Sequence, residues 1–241
     1  LRLNVYSNWT ENAGNLYDSY SGYVMTDYRT IGKKSGMPRR SQRQTAALDI
    51  IYTDALNGLF ATAYGSWWRH KENVTSSTFY EGDLMINSVI PVSNISQGLT
   101  ARSRISKRLE SISTTISANV GWNRAWYEYM RQNVMVPTIY DQVAAGMEIN
   151  SRLGKRVTFV YEGNYIHSAS RINDDVMNPI DGMNQNADFS VTFDKGFVLK
   201  AGVEHQFNNS VKGDDRNMLF ADASLAYKRG RFEYMLEANN I

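Results

Sequence analysis

The sequence predicts an all-β fold: an antiparallel meander forming part of a transmembrane β-barrel, with about twelve strands, short periplasmic turns and long extracellular loops. Three observations carry this expectation. Apolar and polar residues alternate with period two through run after run. Many runs reach about ten or more residues, the length of a strand tilted across a bilayer, about 9–11, where strands generally run to about 5–6. Connections alternate between short and long, the asymmetry of membrane barrels.

The stretch SISTTISANVGWNRAWYEYM, residues 111–130, shows the alternation best. Ile112, Ile116 and Val120 stand four apart, as on a helix face. The i+3 positions that a helical stripe also requires are Thr115, Asn119 and Asn123, all polar. With period two, Ile112, Thr114, Ile116, Ala118, Val120, Trp122, Arg124 and Trp126 fall on one face. Ser, Thr, Asn and Gly dominate the other, so the run reads as a long strand.

The same pattern returns along the chain. Ala46, Leu48, Ile50 and Tyr52 oppose Thr45, Ala47, Asp49, Ile51 and Thr53; Leu99, Ala101, Ser103 and Ile105 oppose Thr100, Arg102, Arg104 and Ser106. Val143, Ala145, Met147 and Ile149 oppose Gln142, Gly146, Glu148 and Asn150. Val157, Phe159, Tyr161 and Tyr165 oppose Thr158, Glu162 and Asn164, and Phe197, Leu199, Ala201 and Val203 oppose Lys200, Gly202 and Glu204. Phe232, Tyr234, Leu236 and Ala238 oppose Arg231, Glu233, Glu237 and Asn239. Such a succession indicates an all-β meander.

Short turns fall at DALNG (54–58), KRLE (107–110), RLGK (152–155), DKG (194–196) and KRGR (228–231). Between them lie long polar connections: GKKSGMPRR, KENVTSSTFYEGDLMINSVIPVSN, RQNVMVP, SRINDDVMNPIDGMNQN and NNSVKGDDRN. Aromatic residues gather at the strand ends. Phe193 and Phe197 flank one short turn and Tyr227 and Phe232 another, while Trp67, Trp68, Trp122, Trp126 and Tyr127 stand on the loop side. Two aromatic bands at the water–lipid boundaries are a feature of membrane barrels. A soluble sandwich or propeller is the competing architecture.

Composition narrows the function classes. Lys and Arg number 26 against 24 Asp and Glu, so no bulk charge points to nucleic acid. Cysteine is absent, which excludes disulfides and thiolate metal sites. No stretch approaches the roughly 18 apolar residues of a membrane helix, and LRLNVYSNWT lacks the order of a signal peptide. His70, His167 and His205 are far apart, without metal-ligand spacing. DALNGLFATAYGS lacks the ending of a phosphate loop, and no serine sits in a G-x-S-x-G elbow. NDD (173–175) and GDDRN (213–217) have the acids to bind calcium in long loops, but solvated loop acids are the preferred reading. No catalytic, cofactor-binding or metal site is expected, and the chain reads as no enzyme.

With the apolar face toward lipid, Ile112, Ile116, Val120, Trp122, Trp126, Phe193, Phe197, Tyr227 and Phe232 become lipid-facing or girdle residues. Arg102, Arg104, Glu148, Glu162, Lys200, Glu204, Asp222, Glu233 and Glu237 then face the lumen, because a charge in hydrocarbon costs several kcal/mol. Such charges of both signs line a wet lumen or pair with a plug.

The long strands, Asn- and Tyr-rich loops, short basic turns and closing RFEYMLEANNI resemble the carboxy-terminal barrel of TonB-dependent outer-membrane receptors, in the style of Bacteroidota outer-membrane β-barrel proteins. The resemblance implies a bacterial outer-membrane location, with outer-membrane lipid, a plug domain, the remaining barrel strands and the TonB complex as partners. It leaves room for a surface lipoprotein and implies uptake of a bulky nutrient. Substrate contacts would come from long loops such as FYEGDLMIN and GSWWRHKEN. The sequence shows no plug, no TonB box and no terminal aromatic residue, so residues 1–241 are expected to be one segment of a larger barrel wall. Plugged transporters of this kind have 22 strands, about half of them supplied here. Alone, such a segment would leave strand edges unpaired and need the rest of its barrel. The rival functions are a passive porin or structural barrel, and a soluble surface-attached β-rich adhesin.

Overall fold

The computed structural model describes residues 1–14 and 20–240; Ile241, the last residue of the closing stretch, lies outside them. In chain order the strands are β1 (Arg2–Ala13), β2 (Ser21–Asp27), β3 (Thr30–Ser35), β4 (Arg40–Asp54), β5 (Leu59–Glu72), β6 (Thr75–Glu81), β7 (Leu84–Ile90) and β8 (Asn94–Leu109). There follow β9 (Thr114–Arg131), β10 (Val134–Leu153), β11 (Val157–Ile172), β12 (Asp175–Val176), β13 (Ile180–Thr192), β14 (Phe197–Asn208), β15 (Asn217–Arg229) and β16 (Phe232–Ala238). Eleven strands form a wall in the order β1, β4, β5, β8, β9, β10, β11, β13, β14, β15, β16. All ten pairings along it are antiparallel, which makes the fold the expected all-β meander.

Register reveals the geometry of that wall. Cross-strand partners lead from Asp54, at the turn end of β4, through Leu59, Lys107, Ile116, Ile149, Tyr161, Ala187 and Val203 to Ala221. Ala221 stands eight residues above Arg229, the turn end of β15. Eight strand-to-strand steps therefore climb eight residues. With a rise of about 3.3 Å per residue and about 4.8 Å between strands, the strands lean about 35° from the normal to the line of turns. Barrel closure demands about 35–45°.

The wall is a single layer, so little of it is buried. Its described strands bury Ala47, Thr114, Ser117 and Ser151. Val74, Thr75, Ser77, Val136 and Thr138 are buried on the loop side. There the segment expected to be one long loop contains the β6–β7 hairpin. β6 adds in parallel to the end of β9 through Ser77–Met130 and Thr78–Arg131, and β7 runs parallel to β3. The stretch GKKSGMPRR is likewise part strand, because β3 pairs with β2.

Two further expectations need correction. The strand in residues 111–130 begins at Thr114. Because β8 continues to Leu109, where it meets Thr114, residues 110–113 must reverse the chain. They do so in a helical turn, Glu110–Ile112, followed by Ser113 at φ 47°. Ile112 is therefore a turn residue, 49% exposed. The stretch RQNVMVP is no long connection either: Gln132 and Asn133, at φ 49° and 62°, join β9 to β10 directly. Positive φ at both turn positions matches the twist of the flanking strands.

Gln132 holds that conformation while its amide joins the backbone of Tyr80 in β6, donating to the carbonyl at 3.4 Å and accepting from the N–H at 3.2 Å. Gln132→Ala is expected to destabilise the loop-side sheet by about 1–2 kcal/mol. Faster amide exchange in β6, with mid-wall amides unchanged, checks this; uniform exchange throughout would refute it.

Candidate functional site: the charged face of the wall

Directly opposed residues in a ladder share a face, so the register sorts every wall side chain. One face carries Ile116, Val120, Trp122 and Trp126 of β9, with Phe197, Tyr227 and Phe232 near the short turns. Phe197 stacks on Tyr227 at 4.2 Å, and Tyr227 faces Tyr234 at 6.5 Å. Phe193 lies just past β13, its N–H donating to the Phe197 carbonyl at 2.8 Å. Over the eight residues nearest each short turn this face is apolar or neutral from β4 to β16, apart from strand-terminal positions and Lys107. Lys107 turns back to donate to the Asn57 carbonyl at 2.5 Å, as an amphipathic side chain snorkels. Eight residues at that lean span about 22 Å, close to the roughly 25 Å apolar band of an outer-membrane barrel. Within the band, Val120 is 50% exposed and Leu236 73%.

The opposite face gathers the charges. Arg102 and Arg104 lie on β8, Glu148 on β10, Glu162 on β11, Lys200 and Glu204 on β14, Asp222 on β15, and Glu233 and Glu237 on β16. The register puts all nine on this one face. Asp49 and Asp188 join them. The period-two count through TAALDIIYTD and NADFS gives their side.

The charges form rows. Glu148, Glu162, Asn186 and Glu204 are successive cross-strand partners, so two carboxylates stand directly opposite each other. Such like-charge pairs are destabilising unless relieved. Arg104 relieves this one by reaching across β9 to Glu148 at 3.0 Å. Glu162 accepts from Asn164 at 3.3 Å, Glu204 from Gln206 at 2.6 Å and Asp188 from Asn186 at 2.9 Å. The row below holds Asp188, Gly202 and Asp222, and the next holds Lys200, Ser224 and Glu237. These side chains line a shallow recess. Across the wall, Arg102 lies over the Tyr64 ring at 5.5 Å, and Asp49 accepts from Asn4 at 3.0 Å.

Beyond the apolar band, Glu72 ends β5 on the loop side. Burial opposes its charge, but hydrogen bonds from His70 at 2.7 Å and Arg39 at 2.5 Å prevail and hold its carboxyl below the usual range.

The strand lean, the height of the apolar band and the segregation of charge define the class: the wall of a transmembrane β-barrel of the bacterial outer-membrane type. No protein-family model and no curated protein matches the sequence. Among solved structures, the chain is similar to the ferric-catecholate import receptor Fiu of E. coli in its closed form, at 8% identity and a TM-score of 0.40. That match covers 98% of this chain and 55% of the receptor, so the chain spans about half the receptor's length. It is also similar to the translocator domain of the autotransporter NalP of Neisseria meningitidis, at 10% identity and TM-score 0.34, covering 98% and 82% of the two chains. The β-domain of the Bordetella autotransporter BrkA matches at 11% identity and TM-score 0.30, over 99% and 91%.

Proposed function

We propose that this chain is a non-enzymatic part of the wall of an outer-membrane transport barrel, with its charged face lining the interior. One observation carries the reading: at mid-band height, ionised side chains occupy a single face. Hydrocarbon excludes them from the other.

The finer reading is a TonB-dependent receptor importing a bulky nutrient past a plug. It is supported by a local imbalance. From β10 to β16 the interior face away from the turns carries Glu148, Glu162, Asp188, Glu204, Asp222 and Glu237 against Lys200 alone. A basic plug surface would supply the missing counter-charge. In a passive pore, the second reading, solvent cations would supply it and the pore would be cation-selective.

Planar-bilayer recording on the protein purified from its outer membrane separates the two. A plugged receptor is expected to give no steady conductance. A steady, cation-selective conductance would overturn the plugged reading in favour of the porin, and the absence of membrane insertion would overturn both.

A further inference from the structure

The interior face of the wall is divided by sign. Among its described residues, β1, β4, β5 and β8 turn Arg2, Arg43, Arg102, Arg104 and Arg108 inward against two acids, Asp49 and Glu72. From β10 to β16 the interior carries the six acids named above and Glu233 against three cations, Arg152, Lys200 and Lys228. Between these flanks β9 contributes only Arg131, at its loop end. The flanks lie at matching height. Arg104 and Arg102 stand five and seven residues above Leu109, the turn end of β8. Glu162 stands five above Val157, and Glu204 and Asp222 seven above Phe197 and Arg229. Arg108 pairs with Glu110 at 2.9 Å, Glu72 is held by Arg39 and His70, and Arg104 reaches Glu148. Arg2, Arg43 and Arg102 then share one acid, Asp49, and none of the three makes an ion pair among the described residues. From Arg102 on β8 to Glu204 on β14 is five strand spacings along the wall, about 24 Å. Physiological salt screens charge over roughly 8 Å, so the two excesses do not cancel each other.

We infer that the domain filling the interior is itself two-sided, with a carboxylate-rich surface against β4 to β8 and a basic surface against β11 to β16, and that it docks in one orientation about the barrel axis. The inference rests on the plugged reading above, which asks only for a basic surface; it adds the acidic surface and the placement of both. Separation of the flanks is the first argument: a small solute cannot touch both, whereas a folded domain can. Residue type is the second. All five inward cations of the first flank are arginines, whose planar fork takes a carboxylate through two parallel N–H groups. Apolar side chains among the charges are the third. On the interior face Tyr6 is 48% exposed, Ile166 43% and Met218 37%. A protein surface covers such groups, where pore water would leave them wet. A domain turned halfway round would set like charge against like on both flanks, which is how complementary charge fixes orientation.

The test uses the whole protein purified from its outer membrane. It is treated with a zero-length carbodiimide, which joins carboxylates to amines, and digested for mass spectrometry. In the unaltered protein Glu204 and Asp222 should link to lysines of the interior domain. Arg102→Lys and Arg43→Lys, made separately, keep the charge and supply an amine. Each should gain links, absent from the unaltered protein, to carboxylates of that domain on peptides other than those joined to Glu204 and Asp222. Lys107, on the outer face, should stay unlinked to it. Either variant suffices if the other fails to fold. Links missing at either flank, or reaching the same residues from both, would overturn the two-sided domain; the plugged reading then stands as long as no steady conductance appears in planar bilayers. A steady conductance with links confined to the wall itself would remove the inference and the plugged reading together.

Discussion

Ala118→Arg is expected to cost about 2–4 kcal/mol and to abolish most of the folded, heat-modifiable species. Ala118 sits four residues above Thr114, the turn end of β9, exposed on the apolar face. In a lipid band of about 22 Å, an arginine there lies near the middle, too deep for its head to reach either boundary without distorting wall or bilayer. Asn119→Arg makes the comparison, since Asn119 is the next residue of β9, at nearly the same height and exposed on the charged face. It should cost under about 1 kcal/mol. Urea unfolding of both variants refolded into lipid bilayers measures the contrast. Equal tolerance of the two arginines would mean that the apolar face does not meet lipid.

The second large effect is expected at Gly196, in the turn between β13 and β14. Its φ of 89° is one that side chains rarely adopt, and a Cβ there would come within 2.2 Å of the Lys228 carbonyl oxygen. That oxygen is backbone, at the neighbouring β15–β16 turn, so relief requires two adjacent turns to part. Gly196→Ala should lose about 1–3 kcal/mol from the backbone conformation alone, with more from the clash. Gly154→Ala, at φ 68° with nothing near its Cβ, should lose only about 1 kcal/mol. A smaller loss at Gly196 than at Gly154 would show that the two turns are not in contact as described.

The wall was legible in the sequence wherever a strand has two unlike faces. From Ile116 to Trp126, or from Phe197 to Val203, period two alone sets which side chain meets which solvent. The places that misled lack a local signal. Ser113 takes a left-handed turn that glycine or asparagine usually marks, so Ile112 looked like the first residue of a strand. Gln132–Asn133 makes the two-residue turn commonly built by Asn-Gly, so the strands on either side looked like a loop. The row-by-row arrangement of charge was illegible for another reason. Alternation gives a residue's face but not its neighbour across the sheet; only register sets Glu162 opposite Glu148 and Asp188 beside Asp222. The β6–β7 hairpin depends on a parallel joint to β9 some fifty residues away, a pairing that no local window contains.

The lean of the strands has a mechanical consequence. A force along the membrane normal, such as a segment dragged through the interior would exert, meets each strand at about 35° and loads it mainly along its length. Neighbouring strands are then pulled past one another, so the many bonds of a ladder such as β10–β11, paired from Thr138–Ile172 to Leu153–Val157, resist together. A wall with strands lying across the pull would open one bond at a time. A wall of this lean stays rigid under such a pull.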